Sequence, residues 1–215
     1  MKKISAVIFD LDGTLANTLP LCIQAFRQSV EPLIQRSLSD AEIIATFGPS
    51  EEGTIMALAP DHYEQGVTDY LYHYESMHNM CPVAFDGIKE LLESLKGKHV
   101  RIAMVTGKGK HSTDISLRYF ALTRFFELIE TGSPGGARKA EGIEMILDEW
   151  NDLSKNEVVY VGDAPSDIIA SRKAGIPVIA AAWAETAEPE KLVDLQPDEL
   201  FYSVDDFAAW MQQHT

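Results

Sequence analysis

The chain has 215 residues, 46% of them hydrophobic and 24% charged, which fits a soluble globular protein with one sizeable domain or a core plus a small insert. Acidic residues outnumber basic ones 33 to 18, for a formal net charge of −15. A surface this acidic repels nucleic acid and anionic membranes, so neither is expected as a partner.

The first element is the apolar run Ile4 to Phe9, rich in β-branched residues, which reads as a buried strand. It runs into Asp10-Leu11-Asp12-Gly13-Thr14-Leu15. Two carboxylates therefore stand close together at the carboxyl end of a strand, the edge where open α/β sheets bind ligands. Like charges at that spacing disfavour each other's ionisation. A hard divalent cation, which prefers oxygen ligands, resolves the conflict. The simpler alternative is two acids that only cap the next helix. The start Met1-Lys2-Lys3 faintly mimics a signal peptide, but Asp10 and Asp12 break the apolar run too early for one. No apolar stretch is long enough to cross a bilayer, so a cytoplasmic monomer or homodimer is expected.

Beyond Leu15 the pattern turns helical. Leu19, Ile23, Phe26, Val30 and Leu33 recur at helical spacing. Asp40 to Thr46 forms a second helix capped by Ser39, and Ser50 caps a third through Met56 and Leu58. Tyr63, Val67, Tyr70, Tyr74 and Met77 mark a fourth, and their stripe reads as the segment's own core rather than a ligand box. Cys22 and Cys81 are too few for a disulfide scaffold and read as packing residues. His62, His73 and His78 read as surface or satisfied core residues.

From Phe85 onward helices and strands alternate. Helices are predicted over 86–96, 110–120, 140–150, 166–174 and 204–211, and strands over 100–105, 126–130, 158–161 and 178–182. Such alternation predicts an α/β fold, a Rossmann-like parallel sheet with helices on both faces. The first strand belongs to that sheet, so the all-helical block is an insertion. The expected division is a core of residues 1–15 and 84–215 with a helical cap over 16–83. Gly132-Ser133-Pro134-Gly135-Gly136 is the candidate mobile loop.

Three further groups fall at strand exits or helix starts. Thr106-Gly107 follows a strand, where a hydroxyl and free backbone N–H groups suit a phosphate oxygen, or simply cap a helix. Gly162-Asp163-Ala164-Pro165-Ser166-Asp167 follows another strand. Asp163 is placed to share a cation with Asp10. Asp167, one turn on, reaches the same cation or holds a cationic side chain, or is a first-turn acid favoured by the helix dipole. Lys139 starts a helix, where the dipole disfavours a cation unless an anion lies nearby. Arg138, Lys108 and Lys110 read as solvated surface cations.

Together these motifs resemble the haloacid dehalogenase superfamily of phosphohydrolases over nearly the whole chain. The helical insertion resembles the small cap of its phosphoglycolate phosphatase-like branch, with Gly48-Pro49-Ser50-Glu51-Glu52 as the substrate-facing loop. The resemblance implies a Mg²⁺-dependent phosphatase acting on a small phosphorylated metabolite, phosphoglycolate-like or a sugar phosphate. Asp10 would be the nucleophile and Asp12 the acid and base. Mg²⁺ would be held by Asp10, the Asp12 carbonyl and Asp163, with Asp167 on the ion or on Lys139. Thr106, Gly107 and Lys139 would bind the phosphoryl oxygens, and Gly48 and Pro49 the substrate. Asn17, Ala140 and Trp183-Ala184 depart from the common pattern without removing a catalytic group. Asp12 and Gly13 argue against dehalogenation, and the absence of lysine between Lys3 and Lys89 against phosphonate cleavage. A sugar-phosphate mutase of the β-phosphoglucomutase type would carry a hinge histidine where Cys22 stands. A non-catalytic binding protein on this scaffold would be expected to have lost one of the acids.

Overall fold

The computed structural model describes residues 3–215, so the first two residues of the expected segment 1–15 lie outside the described residues. In chain order the elements are β1 (Ala6–Phe9), α1 (Leu19–Ile34), α2 (Asp40–Ile44), α3 (Glu51–Leu58), α4 (Tyr63–Ser76), α5 (Ile88–Gly97), β2 (Arg101–Val105) and α6 (Lys110–Tyr119). Then follow β3 (Leu128–Glu130), α7 (Lys139–Glu149), β4 (Val158–Gly162), α8 (Pro165–Ala174), β5 (Val178–Ala181), α9 (Pro189–Asp194), β6 (Glu199–Phe201) and α10 (Val204–His214).

All strand pairs are parallel, in the order β3-β2-β1-β4-β5-β6. Side chains alternate across the sheet, so each strand feeds two cores. Val7, Phe9, Met104, Val161 and Ile179 join the residues of α5, α6 and α10, whereas Ala6, Ile8, Val105, Tyr160 and Val178 join those of α7 and α8. Burial on both faces explains the nearly continuous apolar strands. β1 lies between β2 and β4, with Phe9 level with Met104 on one side and Val161 on the other. Chain direction away from β1 reverses there, and the exits of these three strands converge at that switch point.

Helices α1 to α4 lie between β1 and β2 in the chain. Leu21, Cys22, Ala25, Phe26, Ser29 and Val30 give α1 one buried stripe. It packs on α4, where the Phe26 and Tyr70 ring centroids are 4.4 Å apart and those of Tyr70 and Tyr74 5.7 Å. The tyrosine stripe is thus largely core. Ser39 caps α2 in a reciprocal box with Glu42. Ser50 precedes α3 but does not cap it, because its hydroxyl donates to Glu52 instead.

Two short elements, α9 and β6, were not expected. The predicted strand over 126–130 starts at Leu128, because Thr123–Phe125 forms a 3₁₀ turn. The glycine-rich loop is not a free tip. Gly132 N–H donates to the Lys108 carbonyl at 2.7 Å and Ser50 N–H to the Ser133 carbonyl at 3.0 Å. A Cβ on Gly132 would lie 1.9 Å from the Gly107 carbonyl oxygen, so glycine is what lets these two loops touch. His78 is buried, with Nε2 3.1 Å from Ser116 Oγ and Nδ1 unpartnered, while His62 is exposed and His73 half-buried. No helix among the described residues is long and apolar enough to cross a membrane.

Candidate active site

Asp10 follows β1 directly and is buried. Its backbone N–H continues the ladder to Val161, and its Oδ1 accepts the Leu11 N–H at 2.7 Å. Lys139 reaches it from the first turn of α7, with Nζ donating to Asp10 Oδ2 at 2.6 Å and to Asp167 Oδ1 at 2.5 Å. Asp167 is fully buried and also accepts from the Tyr160 hydroxyl at 3.1 Å and the Ala164 N–H at 2.9 Å. Most of its acceptor capacity is therefore spent within the protein.

Asp163 completes the cluster from the exit of β4. Carboxylate oxygens of Asp10, Asp163 and Asp167 lie within 4.8 Å of one another. Thr14 donates to Asp163 Oδ1 at 3.2 Å. Gly13 has φ +74°, and a Cβ there would lie 2.0 Å from Asp163 Oδ2. Only glycine takes that turn and leaves room for the carboxylate. Trp183 Nε1 donates to the Thr14 carbonyl at 3.0 Å and holds the turn from behind.

Burial, then Asp167 and Asp12, raise the Asp10 carboxyl to about 6 against the pull of Lys139. Burial, followed by the Asp167 and Asp10 charges, raises Asp163 well above the carboxylate range. Burial opposes the charge on Lys139, but Asp10 and Asp167 outweigh it and hold the ammonium above its ordinary range. Asp10 and Asp163, whose ionisation is resisted chiefly by burial, offer crowded oxygen donors of the kind a hard divalent cation prefers, with Asp167 beside them. The residues therefore fit Mg²⁺.

Asp12 shares the cavity with Asp10 and is among the charges that raise it. Its side chain turns toward the insertion and accepts from the Thr18 hydroxyl. Each acid has its own lysine, because Lys108 Nζ lies 3.4 Å from Asp12 Oδ1. Lys108 is a correction to the sequence reading. It is buried rather than solvated, with Nζ 3.5 Å from Glu51 Oε1, 3.2 Å from Cys22 Sγ and 4.3 Å from the centre of the Tyr74 ring. Burial disfavours its charge, but Asp12 foremost raises it above the ordinary lysine value. Cys22 packs as expected, and burial pushes its thiol up to about 12.

Glu51, expected only as part of the substrate-facing loop, lines the cavity and has a specific tie to the core. Its Oε2 accepts the Gly109 N–H at 2.5 Å and its Oε1 the Ser112 hydroxyl, at the N-terminus of α6. The sequence signal for both was faint: an acid opening α3, and a lysine two residues beyond a strand.

Thr106 is buried at the exit of β2, and its Oγ1 accepts the Lys108 N–H at 3.2 Å. A Cβ on Gly107 would lie 3.7 Å from Lys139 Cε, so the Thr106-Gly107 loop borders the lysine. Asp10, Asp12, Gly107, Lys139 and Asp163 all open on one cavity of about 550 Å³. Gly48 and Pro49 line it from the insertion, together with Glu51, Phe47 and Tyr70. Thr106 itself does not reach the lining.

An acid at the exit of β1, a lysine from α7 and acids at the exit of β4, all at the switch point of a parallel sheet, define a hydrolase of Rossmann-like fold, of the kind built for phosphoryl groups. The chain belongs to the haloacid dehalogenase-like hydrolase family, whose model matches residues 7–181. It is 30% identical over 210 residues to a protein of Listeria innocua named pyrophosphatase PpaX, covering 96% of each chain. A haloacid dehalogenase-like family hydrolase of Streptococcus pneumoniae superposes with a TM-score of 0.77 at 26% identity, over 97% of this chain and 99% of that one. A structure described as a predicted phosphoglycolate phosphatase of Haemophilus somnus gives a TM-score of 0.80 at 22% identity over the full length of both chains, a likeness of fold.

Proposed function

We propose that the protein is a Mg²⁺-dependent phosphatase that hydrolyses a small phosphate monoester through a phosphoaspartate on Asp10. One observation carries the reading: Asp10 at the exit of β1 is held by Lys139 beside Asp163 and Asp167. Asp10 attacks phosphorus and forms an acyl phosphate as the ester P–O bond breaks. Asp12 gives its proton to the departing oxygen, then takes one from the water that attacks phosphorus and frees Asp10. Lys139 and the Gly107 backbone meet the phosphoryl oxygens, where charge is greatest in the transfer. Asp167 keeps Lys139 aimed at Asp10, and Thr106 shapes the loop that carries Gly107. Mg²⁺, held by Asp10, Asp163 and the Asp12 carbonyl, supplies charge neutralisation and orientation when bound.

Residues 16–83 act in this reading as a cap that closes the cavity and excludes water. Gly48 and Pro49 contribute to its substrate-facing edge. Cys22, in place of a hinge histidine, favours hydrolysis over mutase chemistry. The name of the Listeria innocua relative supports a second reading, in which the substrate is pyrophosphate.

Phosphate release from p-nitrophenyl phosphate tests the common core of both. Turnover is expected with Mg²⁺, lost on chelation and lost in Asp10→Asn. Undiminished turnover in Asp10→Asn would overturn the assignment of the nucleophile.

A further inference from the structure

We propose that the substrate is a phosphate monoester whose leaving group is uncharged and carries an apolar face, not one that brings a second anion. The inference rests on the phosphatase reading above and narrows its substrate class. The cavity of about 550 Å³ is a small-molecule site, larger than a phosphoryl group requires. Its remaining space is bounded by the helical insertion, which contributes Leu19, Phe26, Ile44, Phe47 and Tyr70. Three of them are contiguous, because Phe26 packs between Phe47 and Tyr70 with ring centroids 5.9 Å and 4.4 Å away and the rings tilted. Ile44 is 43% exposed and Phe47 37%, an apolar edge that a ligand would cover.

The charges point the same way. Glu51 is the only charged residue that the insertion gives to the lining, among the described residues. Arg27 pairs with Asp40 and Arg36 with Glu42, and neither lines the cavity. Of the lining lysines, Lys139 is matched by Asp10 and Asp167 and serves the transferred phosphoryl group. Lys108 is matched by Asp12 and Glu51. Lys173 is an exposed side chain 3.8 Å from Glu141. A carboxylate or second phosphate on the leaving group would thus meet Glu51 and an apolar wall, with no cation of its own. Phosphoglycolate and pyrophosphate both carry such an anion. An alkyl or arylalkyl group would fill the wall, and the two kinds of substrate should separate strongly.

The test compares kcat/KM for 2-phenylethyl phosphate, phosphoglycolate and pyrophosphate on the Mg²⁺-loaded protein. The two esters both release a primary alcohol, so intrinsic reactivity does not decide the ranking. The proposal expects 2-phenylethyl phosphate to lead by at least about tenfold, on the scale of hydrophobic-pocket discrimination. Phe47→Ala should narrow that lead through a higher KM, and Ile44→Lys should raise kcat/KM for phosphoglycolate. Equal or better use of phosphoglycolate or pyrophosphate by the wild type overturns the proposal while leaving the phosphatase reading intact. A lead of unchanged size in both variants also overturns it. No phosphate release from these substrates or from p-nitrophenyl phosphate sinks the phosphatase reading itself.

Discussion

Glu51 and Gly109 join the helical insertion to the sheet: the Glu51 carboxylate accepts the Gly109 N–H at 2.5 Å, at the first turn of α6. An anion is favoured at a helix N-terminus. Lys108 stands 3.5 Å away on the other carboxylate oxygen. The contact therefore depends on charge as well as shape. Glu51→Ala should lower unfolding stability by about 1–3 kcal/mol, the cost of leaving a buried donor without its acceptor. Glu51→Gln should cost less. Urea unfolding measures both, and KM should rise in the same order if this link holds the insertion over the cavity.

Lys108 pairs with Asp12 across the cavity wall, at 3.4 Å. Lys108→Met keeps the stem's packing against Tyr74 but removes the charge between Asp12 and Glu51. The expected result is a fall of about 10- to 100-fold in kcat, the usual cost of losing a group that orients a catalytic one. A fall in kcat/KM through KM alone would place Lys108 in substrate binding instead.

Gly13 makes room for Asp163. In Gly13→Ala the new Cβ meets the carboxylate at 2.0 Å and the backbone is strained at φ +74°. Asp163 must move, so half-saturation by Mg²⁺ should need about 10- to 100-fold more metal. Isothermal titration would read this directly, with circular dichroism confirming that the fold persists.

The acidic cluster also sets a pH dependence. Asp10 is raised from 3.8 to about 6, chiefly by burial, and Asp163 is likewise raised by burial and its acidic neighbours. For a raised carboxyl the native state holds more protons than the unfolded chain. In chelator, stability should therefore fall as pH rises from about 4 to about 6 and beyond, and Asp10→Asn should flatten that fall. Mg²⁺ favours the ionised acids, so its stabilisation should be larger at neutral pH than at acid pH. Thermal melts with chelator and with Mg²⁺ across this range check both signs.

Much of the site could be read from the chain because each motif interrupts a strong local pattern. Asp10 ends the run Ile4 to Phe9, Thr106 ends β2, and Asp163 follows β4, so the parallel sheet alone brings them to one edge. Lys139 was legible from its unfavourable place at a helix start, and Asp10 and Asp167 supply the offsetting charge. Lys108 was not legible. It stands two residues from the exposed Lys110, and only packing of α1 and α4 over it distinguishes the two. Glu51 was legible only as part of the substrate-facing loop, and its tie to the core was not, since its partners Gly109 and Ser112 lie far along the chain. The edge strand β6 spans Glu199–Phe201, too short for an alternating pattern to register.

Covalent trapping tests the central claim most directly. The protein is mixed with substrate and Mg²⁺, quenched, and reduced with borohydride, which converts a phosphoaspartate to homoserine. Peptide mass spectrometry should then find homoserine at position 10 alone, dependent on both substrate and metal. Steady turnover with Asp10 unmodified, or homoserine at another acid of the cluster, would contradict the account.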